Sequence, residues 1–285
     1  MHLEDVDRTM LAEIGRRHGL WDADREPELI SRRAENTTFA VGECIVRRST
    51  DPRALAREVA LLGALAASTT VPVPIPLMYD PDLGVFAYRR LTGTPLIHLR
   101  SRESEPVERA LIDVLGTLRA LGAAHLLPAD PYPNEAWRRD ALDAFETIRP
   151  HLTSEQARRI AESFDEAPPP DRGDVIAQHN DLGAEHILVD DVGRVTGVID
   201  WTDAARADPA RDLGSIYRDL GPGSAFRVSE ALGQPVTDDE ASRIRFHARC
   251  TWIEDAAFAL AAPTSRQAYL DNVRHTFGHT FGPAR

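Results

Sequence analysis

The feature that most constrains the fold is a short β-hairpin predicted inside a largely helical second half of the chain. Two apolar stretches, His186–Val189 and Val195–Ile199, flank an Asp-Asp-Val-Gly sequence that is typical of hairpin turns. Asp181 and His186 precede or open the first strand, and Asp200 follows the second. Because a hairpin brings its two open ends together, we expect these three side chains to surround one point.

Two carboxylates and an imidazole at one point suit a divalent cation beside a proton acceptor. Phosphoryl transfer needs that pairing, because its catalysis consists mainly of positioning and of charge neutralisation by Mg²⁺. The hairpin therefore indicates a phosphoryl-transfer site before any wider pattern is considered.

The pattern of elements divides the chain into two lobes. Residues 28–91 carry strand patterns and one helix, which Asp51 is expected to cap and Pro52 to open. Beyond Gly93, helices are predicted over 106–127, twice within 137–164, and from Thr237 to about Ala261. We predict an N-terminal lobe over residues 1–92 and a C-terminal helical lobe over residues 93–285.

The balance of charged residues excludes several protein classes. All 33 basic residues are arginine, so P-loop, Schiff-base and other lysine-dependent chemistry is excluded. A net charge of −12 without a basic run argues against a nucleic-acid partner and is compatible with a cationic one. Two cysteines and the lack of a long apolar stretch predict free thiols, no membrane span and a cytoplasmic location.

The hairpin region also resembles a known family. The pattern His179-x-Asp181-x₄-His186, followed by Gly-x-Ile-Asp-Trp ending at Trp201, resembles the catalytic loop of the aminoglycoside phosphotransferase family. The resemblance covers roughly Glu28 to Asp212 and is closest to aminoglycoside 2″-phosphotransferases and macrolide phosphotransferases. It implies an α+β, bilobal protein-kinase-like fold and a nucleotide-dependent O-phosphotransferase acting on a small antibiotic.

This resemblance implies roles for the catalytic residues. Asp181 matches the aspartate that orients the acceptor hydroxyl and takes its proton, and Asp200 matches the metal-binding aspartate. His186 matches the second metal ligand, which is Asn in most relatives, so the number of Mg²⁺ ions and the choice between ATP and GTP stay open. His179, Asp208 and Asp212 are expected to have supporting roles, Asp208 as a helix cap and Asp212 as an acceptor of N–H groups.

The N-terminal lobe supplies the expected nucleotide-binding residues. With no lysine available, Arg47 is expected to hold the phosphates and Glu58 to fix its guanidinium, although Arg48 remains an alternative. Residues 34–38 correspond to the loop that covers the nucleotide, and Tyr88 to Leu91 resembles the hinge that meets the base. The nucleotide-binding candidates are Arg47, Glu58, Asn36, Thr37, Thr38, Tyr88, Arg89, Arg90 and Leu91.

The acceptor is less well defined by the sequence. Asp203, Trp252, Glu254 and Asp255 are the candidate substrate-binding residues, and the excess of acid favours a cationic antibiotic such as an aminoglycoside. A macrolide phosphotransferase, a kinase of a small metabolite, a non-catalytic nucleotide-binding regulator and a metal-dependent hydrolase remain as alternatives.

Overall fold

The computed structural model describes residues 5–22, 24–32, 36–99, 104–122 and 125–282. Its N-terminal part is a five-stranded antiparallel sheet with the strand order β1-β2-β3-β5-β4. The elements of this part are α1 (Asp5–His18), β1 (Glu28–Arg32), β2 (Asn36–Val41), β3 (Cys44–Ser49), α2 (Pro52–Ala66), β4 (Pro76–Asp80) and β5 (Val85–Arg89).

Helix α2 begins where the sequence predicts. The Oδ1 atom of Asp51 accepts the backbone N–H groups of Arg53 at 2.8 Å and Ala54 at 3.1 Å, and Pro52 is the first helical residue. Four leucines of the helix are buried together with Glu58. Since those leucines share one apolar cluster with Ile45 and Phe86 of the sheet, the helix carries a carboxylate into the interior of this part.

The remainder is mainly helical, as predicted. It contains β6 (Thr94–Pro95), a 3-10 turn (Leu96–His98), α3 (Ser104–Ala120), α4 (Asn134–Ile148), a second 3-10 turn (Arg149–His151), α5 (Ser154–Glu162), β7 (Ile176–Gln178), β8 (Ile187–Val189), β9 (Val195–Val198), β10 (Ala205–Ala207), α6 (Ala210–Leu220), α7 (Pro222–Ala231), α8 (Asp238–Ala261) and α9 (Gln267–Thr280).

Helix α3 is shorter than the predicted span of 106–127. It ends at Ala120, and Gly122 follows with a backbone φ of 59°. A glycine in the left-handed region just past a helix is a common terminator, because it has no Cβ to clash. The apolar residues after Gly122 continued the helical pattern, which is why the sequence prediction ran too far.

The predicted hairpin is confirmed. Strands β8 and β9 pair antiparallel, with Ile187 opposite Val198, and the Asp190 side chain accepts the N–H groups of Val192 and Arg194 in the turn. Strands β7 and β10 form a second small ladder in which Gln178 pairs with Ala205. The loop after β7 and the loop before β10 therefore lie next to each other, at the open end of the hairpin.

Apolar packing joins the sheet to the helical part. One cluster includes Phe86 of β5, Leu111 of α3, Trp201 after β9 and Leu213 of α6. Within the described ranges, no helix combines the length and apolar character needed to cross a membrane.

Candidate active site

Asp181, His186 and Asp200 meet at the open end of the hairpin, as predicted. His186 Nδ1 lies 3.7 Å from Asp181 Oδ2, and His186 Nε2 lies 3.7 Å from Asp200 Oδ2. The side chains of Asp181 and Asp200 are 49% and 43% exposed, so both carboxylates are accessible to a ligand.

The imidazole of His186 is oriented by the backbone. Its Nδ1 atom lies 2.8 Å from the carbonyl oxygen of Asp181, which assigns the N–H to Nδ1 and turns Nε2 toward Asp200. Burial lowers the pKa of His186, but the carboxylates of Asp181, Glu185 and Asp200 outweigh it and raise the pKa to about 9. Without a bound cation the imidazole is therefore protonated at neutral pH, and cation binding at Nε2 has to release that proton.

Arg47 of β3 connects the sheet to this cluster. Its Nη1 atom donates to Glu58 Oε1 at 2.8 Å and to Asp200 Oδ1 at 3.1 Å, and its Nη2 atom donates to the Thr202 hydroxyl. Burial raises the pKa of Asp200, but the positive charges of Arg47 and His186 outweigh burial and lower the pKa to about 2. The metal-binding candidate is thus ionised throughout the neutral range.

Glu58 holds the guanidinium of Arg47 from helix α2. Burial raises the pKa of Glu58 to about 7 against the opposing charge of Arg47, with Asp200 and Asp203 adding to the increase. The Nε atom of Arg47 is buried and has no hydrogen-bond partner among the described residues. A buried donor left unpaired is costly, so the Nε–H group can donate a hydrogen bond to an anionic ligand as its missing partner.

Two residues of the loops that flank the hairpin have unusual backbone conformations. Asn180 and Asp200 are the non-glycine residues with positive φ in the described ranges, at 69° and 61°. This conformation costs about 1–2 kcal/mol for a residue with a Cβ atom and persists where its surroundings enforce it. This conformation sets the direction of the chain at Asn180, just before Asp181, and at Asp200 itself.

The loop that carries Asp181 is held by buried carboxylates. Asp212 of α6 accepts the backbone N–H groups of His179 and Asn180, each at 2.8 Å, as predicted. The Asn180 side chain donates to Asp130 at 3.0 Å, and Arg211 donates to both residues. Asp208 accepts the N–H of Ala210 at 2.9 Å and so caps α6, which agrees with its predicted role.

His179 occupies a structural position. It is fully buried, its Nε2 atom lies 3.0 Å from the carbonyl oxygen of Ile199, and its ring packs on Trp201. It therefore links the loop before β8 to the end of β9.

The structure corrects the predicted loop over residues 34–38. Asn36, Thr37 and Thr38 belong to β2 and pair with Ser49, Arg48 and Arg47 of β3, while residues 34 and 35 lie outside the described residues. Thr37 and Thr38 also pair with Arg32 and Ser31 of β1, so their backbone groups lie within two ladders and not in an open loop. Asn36, Thr37 and Thr38 are polar and only partly buried, so no hydrophobic alternation marks them as part of the strand in the sequence.

The segment resembling a hinge begins inside strand β5. Tyr88 and Arg89 pair with Ile45 and Cys44, and the backbone N–H of Arg90 donates to the carbonyl of Glu43 at 2.8 Å. The Arg90 donor is thus engaged within the protein, and the contact of residues 88–91 with the base through their other backbone groups stays a prediction. Tyr88 is buried near Arg47, and burial raises the pKa of its hydroxyl.

Two of the four predicted substrate residues face the protein interior. Trp252 is 1% exposed, donates its indole N–H to the Val273 carbonyl and packs on Phe277 and Phe281. Asp255 is largely buried and pairs with Arg218 at 3.1 Å. The prediction that these two side chains contact substrate is therefore wrong, because α8 turns them toward α9 and α6.

Asp203 and Glu254 do face the cluster. Burial together with the charges of Asp181 and Asp200 raises the pKa of Asp203. Partial desolvation, and then the charges of Asp181, Glu185 and Asp140, raise the pKa of Glu254, although its residue surface is exposed. Asp203 and Glu254 thus form an acidic wall beside Asp181, and their negative charges favour a cationic ligand.

The donor set fits a magnesium–nucleotide complex. Within the described residues, no group of three or more His, Cys, Asp or Glu side chains is arranged to hold a metal ion by itself. Mg²⁺ is usually held by one or two carboxylates together with substrate phosphates and water. Asp200 Oδ2, with His186 Nε2 beside it, matches that partial protein contribution.

Sequence reasoning missed three residues that shape the site. Thr202 bonds both Arg47 and Asp200, Asp130 anchors Asn180, and Glu185 faces His186. Thr202 and Glu185 are each adjacent to a motif residue or two positions from one, so proximity to the motif was the available signal. Asp130 had no comparable signal, since it lies 50 residues before its partner.

Comparisons with known proteins also indicate phosphotransferases. A family model described as "Phosphotransferase enzyme family" matches residues 26–247. The uncharacterized protein YcbJ of Bacillus subtilis (strain 168) is 32% identical over 205 residues, which are 66% of either chain. The viomycin phosphotransferase of Streptomyces vinaceus is 32% identical over 166 residues, which are 54% of this chain and 56% of that protein. The chain thus covers less than two thirds of the length of each curated relative.

Solved structures share the fold over almost the whole chain. The GDP complex of an aminoglycoside 2′-phosphotransferase-IIIa has a TM-score of 0.65 at 19% identity, covering 96% of this chain and 99% of that one. A macrolide 2′-phosphotransferase type I has a TM-score of 0.61 at 18% identity, covering 97% and 98%. The predicted mixed α/β, kinase-like architecture is thereby confirmed.

Proposed function

This chain belongs to the phosphotransferase enzyme family, and we propose that it transfers the γ-phosphate of ATP or GTP to a hydroxyl of a small cationic antibiotic. The observation that carries the proposal is the meeting of Asp181, His186 and Asp200 beside Arg47, which arrives from a different part of the chain. This is the arrangement that in-line phosphoryl transfer requires, with a proton acceptor, metal ligands and a phosphate-binding cation at one place.

Asp181 is the proposed catalytic residue. Its carboxylate is accessible and lies beside the acidic wall, so it can accept a hydrogen bond from an acceptor hydroxyl and take the proton as the new P–O bond forms. The backbone contacts of Asn180 and His179 with Asp212 keep the loop fixed while this occurs.

Asp200 and His186 are the proposed ligands of Mg²⁺, and Arg47 is the proposed phosphate-binding cation. Mg²⁺ supplies charge neutralisation on the transferring phosphates when it is bound. Arg47 contributes its fixed positive charge and its unpaired Nε–H, and Glu58 holds the guanidinium in place. An arginine also provides two separate Nη donors, which a lysine does not.

The acidic wall supports a cationic acceptor. Asp203 and Glu254 lie near Asp181, and a relative that is 32% identical to this chain over part of its length is named viomycin phosphotransferase. A macrolide acceptor is the second candidate, because a macrolide 2′-phosphotransferase shares the fold. A macrolide needs a broad apolar surface, whereas Asp203 and Glu254 place two carboxylates near Asp181.

The proposal is tested by nucleotide consumption with purified protein and Mg²⁺. ATP and GTP are each combined with viomycin, aminoglycosides and a macrolide, and phosphorylated product is identified by mass spectrometry. Asp181→Asn is expected to lower kcat by about 10²–10⁴-fold with little change in the KM for nucleotide, because it removes the proton acceptor and leaves the phosphate site intact.

Asp191→Asn serves as the matched control, since Asp191 is exposed in the hairpin turn. It should retain the kcat of the unmodified chain. Turnover by Asp181→Asn at the unmodified rate would refute the assigned role, and absence of Mg²⁺-nucleotide binding by the unmodified chain would refute the proposed function.

A further inference from the structure

The two oxygens of the Asp200 carboxylate have different surroundings. Oδ1 accepts hydrogen bonds from Arg47 Nη1 at 3.1 Å and from the Thr202 hydroxyl at 2.8 Å. Oδ2 lies 3.7 Å from His186 Nε2. Oδ1 is therefore held by two protein donors within hydrogen-bond distance, whereas Oδ2 faces the His186 ring at a longer distance.

The Thr202 hydroxyl links Asp200 to Arg47. It donates its hydrogen to Asp200 Oδ1 and accepts the Nη2–H of Arg47, so its donor and an acceptor position are both used. Arg47 is 155 residues away in sequence and is also bonded to Glu58 through Nη1. The two Nη atoms thus have different partners, and Thr202 is the partner of the second.

Loss of this hydroxyl would leave Arg47 Nη2 free to take another acceptor. Asp200 already contacts Nη1 of the same guanidinium at 3.1 Å, and arginine binds carboxylates preferentially through two parallel N–H···O bonds. Rotation of Asp200 into a bidentate pair with Arg47 would engage Oδ2 as well as Oδ1. The oxygen that faces His186 would then be unavailable to a divalent cation.

We propose that Thr202 is a positioning residue that keeps Arg47 on one oxygen of Asp200 and thereby leaves the other oxygen for Mg²⁺. This inference rests on the proposed function, because it concerns the same magnesium–nucleotide site. Thr202 would orient a metal ligand without contacting the metal. Removal of such an orienting group typically weakens metal binding by about 10–100-fold.

The test separates binding of Mg²⁺ from binding of nucleotide. Calorimetry measures the affinity of the full chain for ATP and for GTP over a series of Mg²⁺ concentrations and in EDTA. Thr202→Val is expected to raise the Mg²⁺ concentration for half-maximal enhancement of binding by about tenfold. Its affinity for nucleotide in EDTA should stay within about twofold, because a merely structural defect would lower both.

Three further variants complete the design. Thr202→Ser retains the hydroxyl and should restore the Mg²⁺ dependence, Thr202→Ala should repeat the defect with a smaller side chain, and Thr264→Val changes an exposed threonine of the same type. Thermal unfolding of each variant reports whether the fold is retained. If Thr202→Val proves unfolded, the comparison of Thr202→Ala with Thr202→Ser decides the proposal.

The outcomes distinguish this inference from the function beneath it. Unchanged Mg²⁺ dependence in Thr202→Val and Thr202→Ala, with loss of that dependence in Asp200→Asn, would overturn the role of Thr202 and leave the proposed function standing. An unmodified chain that binds neither nucleotide with Mg²⁺ would overturn both.

Discussion

His247 of α8 is a buried imidazole enclosed by aromatic rings. Its ring centroid lies 5.8 Å from that of Trp137 and 5.3 Å from that of Phe246, and neither ring nitrogen has a hydrogen-bond partner among the described residues. Burial, followed by the charges of Arg211 and Arg243, lowers its pKa to about 3. The native protein therefore keeps this histidine neutral over a wide acidic range.

This environment predicts a pH dependence of stability at the scale of one residue. Because the unfolded chain binds a proton near pH 6.5 and the native chain does not, the free energy of unfolding should fall as the pH drops from about 6.5 toward 3. The contribution has a limiting slope of about 1.4 kcal/mol per pH unit. His247→Phe should remove it, so the variant gains stability relative to the unmodified chain on acidification.

Urea denaturation between pH 7.5 and 5 measures the effect. The larger ring adds a packing offset that does not vary with pH, so the slope of the difference is the informative quantity. His151→Phe is the control, since His151 is exposed beside α4. Parallel stability curves for the unmodified chain and His247→Phe would contradict the argument.

The meeting of the candidate site residues was predictable because their relation is local. Asp181, His186 and Asp200 are joined by one hairpin, whose geometry follows from its turn and its two apolar strands. Thr202 and Asp130 could not be assigned in this way, because their partners are 155 and 50 residues distant in sequence. Pairing of side chains across such distances depends on tertiary packing that no spacing rule contains.

At the scale of elements, α1 is fastened to the sheet by one buried carboxylate. Asp7 accepts a hydrogen bond from Arg32 of β1 at 2.7 Å and from Arg48 of β3 at 3.2 Å, while Leu11 and Ile14 pack beneath the sheet. The side chain of Asp7 is 4% exposed. The helix precedes the region matched by the family model, which begins at residue 26.

Asp7→Asn is expected to destabilise the protein by about 1–3 kcal/mol, because two guanidinium groups lose their common anion. Both arginines remain partly exposed and can be rehydrated, which keeps the cost below that of breaking a fully buried pair. Glu13→Gln on the same helix removes an exposed pair with Arg16 and should change stability by less than about 0.5 kcal/mol. Equal urea midpoints for the two variants would show that Asp7 does not fasten α1.

Helix α8 shows why the direction of a side chain was harder to predict than the helix itself. Its start at Thr237 and its length were predicted from capping and composition, and the structure confirms both. The helix packs against α4, α6 and α9, so buried residues are distributed around much of its circumference. With no single apolar stripe, the sequence did not reveal that Trp252 and Asp255 face inward while Glu254 belongs to the acidic wall beside Asp181.

At the scale of the whole molecule, the net charge of −12 is partly concentrated where the acceptor is proposed to bind. Besides burial, which is the larger cause, the charge of Asp181 raises the pKa of both Asp203 and Glu254, and Glu185 and Asp140 add to the increase at Glu254. The arginines nearest to these carboxylates are already engaged, Arg218 with Asp219 and Asp255, and Arg47 with Glu58 and Asp200. The composition predicted a preference for cations, and the fold directs that preference to one wall of the site.

Glu254→Gln tests this placement of charge. A cationic acceptor should show a KM about two- to fivefold higher at low ionic strength with a small change in kcat, because an exposed carboxylate contributes about 0.2–1 kcal/mol to such a contact. Added salt screens the interaction, so the difference in KM between Glu254→Gln and the unmodified chain should fall to about the experimental error as salt rises from 50 to 300 mM. Glu230→Gln, exposed on α7, is the matched loss of one charge and should leave the KM unchanged. An equal rise in KM for both variants would attribute the effect to the net charge of the molecule, whereas no rise for Glu254→Gln would remove Glu254 from the acceptor site.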